Sequence, residues 1–327
     1  MSLDDLNNIL GESLLITGGA GFIASHLADT ILEKTEAQVK VLDNLSTGTM
    51  SNLSNCINSP KFSFIRGDLD QTHSIEDALE GVTTLFHAAA DPEVRTGYND
   101  PTISFNQNIR NTFSLLDCAR KSDVQNIHFF SSSTIYGEPD VIPTTEDYGP
   151  LIPISHYGAS KLACEAYVSS FSKTYGISSQ IYRLANIIGL RSGHGVIWDF
   201  VTKLNQDGKR LEILGDGKQT KSYIHVDDCI DCILFSLSNL SKDVEIFNIG
   251  NIDKIDVLSI ATIVSKVMGL HDVQFSIVGG TENGKGWIGD VKFMQLDISK
   301  LARMGWVPKL SSSQAVEKSC EELLSLS

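Results

Sequence analysis

The segment Ser155-His156-Tyr157-Gly158-Ala159-Ser160-Lys161 sets a tyrosine and a lysine at positions i and i+4 where a helix is predicted to open. At that spacing both side chains lie on one helical face. A phenol with a reference pKa of ~10 is a poor base at neutral pH, but a neighbouring ammonium favours the phenolate. Tyr157 is thus a candidate proton acceptor, and Lys161 the charge that lowers its pKa. The same pattern occurs on plain helix surfaces, so its meaning depends on what surrounds it. A run of hydroxyls, Ser131-Ser132-Ser133-Thr134-Ile135-Tyr136-Gly137, follows the apolar strand predicted at 127–130. Any one serine at a strand end also reads as a cap for the next segment.

The elements that must position these groups begin near the N-terminus. An apolar run at 14–17 stops at Gly18-Gly19-Ala20-Gly21-Phe22-Ile23-Ala24, and helical periodicity follows over 25–34. Gly18 permits a tight turn, Gly21 lets the backbone approach a pyrophosphate, and the helix N-terminus offers N–H groups and a positive dipole end. Ala24, at the third small position, still lets helix and strand pack closely. The next strand, 39–42, ends in Asp43, about 20 residues on, where a carboxylate meets ribose hydroxyls. No arginine stands in Asn44-Leu45-Ser46-Thr47-Gly48 to receive a 2′-phosphate, which predicts NAD rather than NADP.

Strands at 62–65 and 84–87 run into Arg66-Gly67-Asp68-Leu69 and Ala88-Ala89-Ala90, with a short helix at 75–79 between them. A helix at 102–121 precedes the strand at 127–130. This alternation specifies an α/β fold with a doubly wound parallel sheet. Its carboxyl edge, where such sheets bind ligands, carries the glycine turn, the small alanines and the hydroxyl cluster together.

After the Tyr157 helix ends at Gly176, a strand at 179–184 leads to Ala185-Asn186, and the alternation breaks in the glycine-rich stretch 189–195 that holds Arg191 and His194. A helix at 196–206, a strand at 211–214 and a loop at 215–221 follow. Ser222 to Asp228 opens a further helix, and 244–250 reads as a strand returning to the sheet. Beyond 251 come a helix at 257–268, a strand at 273–278, a glycine-rich loop at 279–289 and terminal helices. The expected organisation is a dinucleotide-binding domain of 1–188 and 222–250 with a smaller, discontinuous domain of 189–221 and 251–327.

Composition sets the outer bounds. A net charge of -14 argues against a basic nucleic-acid-binding surface. No apolar run reaches the ~18 residues of a membrane span, and Asp4 and Asp5 stand where a secretory signal would be basic, so a cytoplasmic protein with no membrane partner is expected. The 6 cysteines lack the dense spacing of a disulfide scaffold and are expected to be reduced and packed. Cys229 and Cys232 form a C-x-x-C inside an amphipathic run, with no second pair, so no metal centre is expected there.

Taken together, Thr17-Gly18-Gly19-Ala20-Gly21-Phe22-Ile23, Asp43-Asn44, Gly67-Asp68-Leu69, the serine cluster, Tyr157-x-x-x-Lys161 and Arg183-Leu184-Ala185-Asn186 resemble the extended short-chain dehydrogenase/reductase family over nearly the whole chain. Within it the chain is most similar to the UDP-glucose 4-epimerases, and 193–200 resembles an archaeal-type branch. The resemblance implies a Rossmann-type fold, bound NAD, a UDP-hexose substrate and a homodimer paired through the helices near 102–121 and 157–176. It implies catalytic roles for Ser132, Tyr157 and Lys161, with Ser131 and Ser133 as flanking alternatives to the first. Gly18, Gly21, Phe22, Ile23, Asp43, Asn44, Asp68, Leu69, Ala88, Ala89, Asn108 and Lys161 fall on the family's cofactor-binding positions. Ser133, Asn186, His194, Val196, Lys221 and Asp290 fall on its substrate-binding positions.

The family's 4,6-dehydratases place Asp-Glu directly after the catalytic Ser/Thr, and its glucuronate decarboxylases keep a Glu at the second position. Here those positions are Ser133 and Thr134. The resemblance therefore implies a redox-neutral inversion at sugar carbon 4, with another NAD-dependent nucleotide-sugar epimerase, dehydratase or oxidoreductase as the alternative. Two positions depart from the family pattern. Lys221 replaces the diphosphate-binding arginine before Tyr223, keeping the charge but losing the bidentate fork. Trp287 replaces the arginine expected before Asp290. Lys285 and Arg191 are the cations in line to compensate.

Overall fold

The computed structural model of the chain describes residues 3–238, 243–281, 283–287 and 289–325. In the first half, helix α1 (Leu3–Leu10) precedes β1 (Ser13–Thr17), α2 (Phe22–Lys34), β2 (Gln38–Asp43), β3 (Phe62–Arg66), α3 (Thr72–Leu79) and β4 (Thr84–His87). These are followed by α4 (Val94–Asn99), α5 (Pro101–Ile103), α6 (Asn111–Ala119), β5 (Asn126–Ser132), α7 (His156–Tyr175) and β6 (Ser178–Leu184). The second half holds β7 (Asn186–Ile188), α8 (Val196–Gln206), β8 (Arg210–Leu214), β9 (Thr220–Lys221), β10 (Tyr223–His225), α9 (Val226–Leu237) and β11 (Val244–Ile249). Then come β12 (Ile255–Asp256), α10 (Val257–Val267), β13 (Gln274–Val278), β14 (Phe293–Met294), α11 (Ser299–Met304) and α12 (Ser312–Leu324).

Among the described residues, 7 strands form one parallel sheet in the order β11-β6-β5-β4-β1-β2-β3. Strand order reverses between β1 and β4, which makes the carboxyl ends of these two strands the switch point at which such sheets bind ligands. The strands are nearly continuous apolar runs because both faces are covered. Their two-residue period divides the core. Leu14, Ile16, Phe86, Phe130 and Tyr182 pack on one side with α1, α2 and α9. Leu15, Leu85, Ile127, Phe129 and Ile181 pack on the other with α3, α6 and α7. Each fully buried aliphatic side chain contributes roughly 1.5–3 kcal/mol, so a one-residue slip in register would exchange the two sets and expose neither face's proper partners.

A third cluster, including Ile197, Phe200, Leu211, Ile213, Ile260, Val264, Val316 and Leu323, joins α8, β8, α10 and α12. Small sheets accompany it: β13 runs parallel to β8, β9 lies between β12 and β14, and β10 runs parallel to β7. The strand at 244–249 does return to the main sheet, against β6. Sequence periodicity misses α1 and the two- and three-residue strands β7, β9, β10, β12 and β14, which are too short to carry a period. It also reads 102–121 as one regular helix. Instead, Ser104–Arg110 takes i→i+5 π geometry between α5 and α6.

Candidate active site

Helix α7 starts where its sequence dictates. The Ser155 hydroxyl caps it by accepting from the Gly158 N–H at 3.0 Å, and Gly176 ends it in the left-handed conformation. The preceding loop is held close by Gly137, whose φ is +64° and whose added Cβ would meet the Ile152 carbonyl at 2.0 Å. Tyr157 and Lys161 thereby share a face opposite the end of β5. Strand alternation separates the serines. Ser131 points into the core, its Oγ donating to Glu165 Oε1 at 2.5 Å. Ser132 turns the other way, toward the Tyr157 phenol, and accepts from the Thr134 N–H and hydroxyl at 3.2 and 3.0 Å. Ser133 opens the 3₁₀ turn that follows. Of the three serines, Ser132 is the one that acts on the Tyr157 phenol.

Lys161 is buried. Its Nζ donates to the Phe130 carbonyl at 2.8 Å, lies 4.9 Å from the centroid of the Phe129 ring and 6.0 Å from that of Tyr157. Desolvation pulls its pKa down to about 8, against the raising fields of Cys164 and Glu165. Burial pushes the Tyr157 phenol up to about 12, with the Ser132 hydrogen bond opposing the shift and Cys164 and Asp91 adding to it. At the phenol, desolvation outweighs the opposing effect of Ser132.

The residues around this pair are tightly ordered. The π segment turns Asn108 inward, where it is 1% exposed. Its Nδ2 donates to Ser160 Oγ at 2.9 Å, and its Oδ1 accepts the Asp91 N–H at 2.8 Å. It thus ties the loop after β4 to the catalytic helix. His87 bridges Thr17 Oγ1 at 2.7 Å and Thr112 Oγ1 at 2.8 Å, joining β1 to α6.

The glycine turn fits a dinucleotide. The N-terminus of α2 has Gly21 as its N-cap and no side-chain cap, so its first N–H groups remain available to a pyrophosphate. Gly18, at φ +68°, passes so close to Ala88 and Ala89 that an added Cβ would lie 2.7 Å from the Ala89 backbone. Asp43, at the end of β2, accepts the Ala20 and Leu45 N–H groups at 2.9 and 2.7 Å, which aims its carboxylate over the turn. Asn44 Nδ2 donates to Asp68 Oδ2 at 2.6 Å, placing the ends of β2 and β3 side by side. Phe22 and Ile23 open α2, and buried Leu69 packs below Asp68.

On the substrate side, Asn186 Nδ2 donates to the Ser222 carbonyl at 3.0 Å. Lys221 Nζ pairs with the buried Asp290 at 2.7 Å and lies 5.7 Å from the centroid of the Trp287 ring. Asp290 also accepts the Gly286 N–H at 3.1 Å. His194 is exposed, whereas Val196 packs on the third core cluster. Neither compensating cation is uncommitted. Arg191 bonds Asp29 at 2.5 Å and Ser25 at 3.1 Å on α2, and Lys285 pairs with Glu138 at 2.7 Å. Arg191 thereby braces the 189–195 stretch against α2.

Two other clusters stand apart from this site. Cys229 and Cys232 are buried in α9, and burial pushes both thiols up. His225, Asp227 and Glu322 come together, but the Lys318 ammonium already bonds Asp227 at 2.5 Å and lies 3.8 Å from Glu322.

Sequence reasoning passed over Glu165, although its i+4 spacing from Lys161 continues the Tyr157-Lys161 stripe.

Residues 14–250 match the NAD dependent epimerase/dehydratase family. A Methanocaldococcus jannaschii protein provisionally named UDP-glucose 4-epimerase is 32% identical over 93% of this chain and 96% of its own length. The fold superposes on a crystal structure of UDP-galactose 4-epimerase with a TM-score of 0.83 at 37% identity, covering 96% of this chain and 99% of that one. It matches a Bacillus cereus UDP-glucuronic acid 4-epimerase, solved with UDP-glucuronic acid and NAD, with a TM-score of 0.87 at 28% identity, covering 96% and 100%. The glycine turn, the Asp43 carboxylate and the Ser132, Tyr157 and Lys161 cluster stand on the family's fold, and the chain belongs to the NAD-dependent epimerase/dehydratase family of extended short-chain dehydrogenases/reductases.

Proposed function

We propose that the protein interconverts UDP-glucose and UDP-galactose by transient oxidation at sugar carbon 4. The observation that carries this reading is the Ser132, Tyr157 and Lys161 cluster followed by Ser133 and Thr134, hydroxyls where elimination would require an acid and a base. NAD, when bound, would supply the hydride acceptor. Tyr157 takes the proton from the 4-hydroxyl as the hydride leaves carbon 4, and Ser132 hydrogen-bonds the same oxygen. Lys161, its Nζ 6.0 Å from the centroid of the Tyr157 ring, would hold the cofactor ribose. Return of the hydride to the opposite face, with the proton handed back by Tyr157, gives the epimer with no net redox change.

In this reading Gly18, Gly21, Asp43, Asn44, Asp68, Ala88 and Asn108 hold the cofactor. The nucleotide sugar lies between the larger unit of 1–188 and 222–250 and the smaller unit of 189–221 and 251–327, near Asn186, His194, Val196, Lys221 and Asp290. The protein is cytoplasmic. No helix among the described residues is long and apolar enough to cross a membrane. A homodimer through α6 and α7 is supported by Phe113 and Tyr167, 44% and 40% exposed and packed edge to face; sedimentation as a monomer would remove that part.

The test is incubation with UDP-galactose alone. Conversion to UDP-glucose without added NAD is expected. Accumulation of reduced cofactor in step with product would instead mark a net oxidation, and turnover of UDP-glucuronic acid but of neither hexose would move the substrate.

A further inference from the structure

Glu165 and Arg183 form a buried ion pair, with side chains 6% and 4% exposed, directly behind the catalytic cluster. Arg183 Nε donates to Glu165 Oε1 at 3.1 Å, and Nη2 to Oε2 at 2.9 Å. Its Nη1 donates to the Tyr136 hydroxyl and to the Glu146 carbonyl, each at 2.8 Å. Tyr136 in turn donates to Asn248 Oδ1 at 2.8 Å. Glu165 Oε1 also accepts the Ser131 hydroxyl. One pair therefore contacts the end of β5, the catalytic helix, β6, the turn after Ser132 and the loop that precedes α7.

We infer that Glu165 and Arg183 are positioning residues for the proton transfer: through Ser131 they fix the end of β5 so that the adjacent Ser132 meets Tyr157. The inference rests on the reading of Ser132 and Tyr157 given above. Stability alone does not explain the pair, because well-packed apolar residues often stabilise an interior as much as a buried ion pair does. A guanidinium fork adds direction. Glu165 lies one turn beyond Lys161 and two beyond Tyr157 on α7. A bond from it to Ser131 ties α7, along the same stripe as Tyr157 and Lys161, to the β5 residue next to Ser132. Every polar atom of the pair that points inward has a partner, as a rigid network requires.

Ser131→Ala tests this without altering charge. Its expected effect is a roughly tenfold fall in kcat, the scale of a modest misplacement of a reacting group, with KM and melting temperature close to wild type. Ser131→Thr, which restores the hydroxyl, should recover the rate. Unchanged kcat would overturn the inference, as would a loss of rate matched by an equal loss of thermal stability. Glu165→Gln is expected to lower kcat at least as far, but it leaves Arg183 without a counter-charge and costs stability, so Ser131→Ala decides.

A second readout does not depend on the substrate. In the NAD-loaded protein, the ultraviolet titration of the Tyr157 phenolate, referenced to Tyr157→Phe, should move to higher pH in Ser131→Ala as the Ser132 hydrogen bond weakens. The ionisable groups around the phenol, Lys161 and Cys164 on α7 and Asp91 after β4, are unchanged in that variant, as are His87 and Glu165 beside Lys161. An unshifted titration overturns the inference. Failure of the wild type to convert any UDP-hexose sinks the functional reading and leaves this measurement standing.

Discussion

In the proposed reaction Tyr157 must give up its proton before it can take another, and its burial opposes that. Burial holds the phenol at about 12, while the lysine that should help it has itself been pulled down to about 8. Both shifts have the same cause. Desolvation disfavours every isolated charge within the cluster. Ser132 is the one neighbour whose hydrogen bond acts toward the phenolate. Tyr157→Phe keeps the packing and removes the acid/base, so kcat should fall by ~10²-fold or more, with nucleotide-sugar binding retained. Near-wild-type turnover of UDP-galactose by that variant would refute the assignment.

Helix α7 depends on how it begins. Ser155 caps it, and Tyr157 sits in its first turn, so the cap orders the segment that carries the phenol. Ser155→Ala should cost about 1 kcal/mol in urea unfolding and lower kcat more than it raises KM. An unfolding midpoint equal to wild type would show that the packing of α7 alone fixes the turn. The same elements explain how much the sequence revealed. The main-sheet strands are apolar runs bounded by turns, helices α8 and α10 carry amphipathic periods, and the glycine turn and Asp43 have spacings with mechanical meaning, so the sheet and the candidate nucleotide half of the site were legible. Ser131 and Ser132 looked equivalent as residue types, and only the pleat of β5 gives them opposite neighbours. Nothing in the sequence places Asp29 beside Arg191, so their ion pair was not legible there. The direction of the Tyr157 shift depends on burial, which no spacing encodes.

Across the whole molecule, stability should respond to acid through two histidines inside the central sheet. His87 and His128 lie on adjacent strands β4 and β5 and are 1% and 0% exposed. His128 stacks on Phe86 with ring centroids 4.4 Å apart and meets the Tyr182 hydroxyl at 3.0 Å. Burial brings both imidazoles down to about 3. The folded pKa then lies below the unfolded value of ~6.5, so the unfolded chain binds protons first as the pH falls. Each neutral histidine contributes fully above that value, and its contribution is lost between about pH 6.5 and 3, at up to about 1.4 kcal/mol per pH unit. His225 does not mask this. Its hydrogen bonds to Asp227 and Glu322 outweigh desolvation and raise its pKa, so what it contributes is lost as the pH rises. His128→Phe preserves the ring stack, and the Tyr182 hydroxyl keeps its bonds to Gln180 and Ser236. Urea unfolding of this variant should match wild type near neutrality and lose stability less steeply, by one histidine's slope, between about pH 6 and 4.5. Parallel acid slopes in the two proteins would mean that His128 is protonated in the folded sheet.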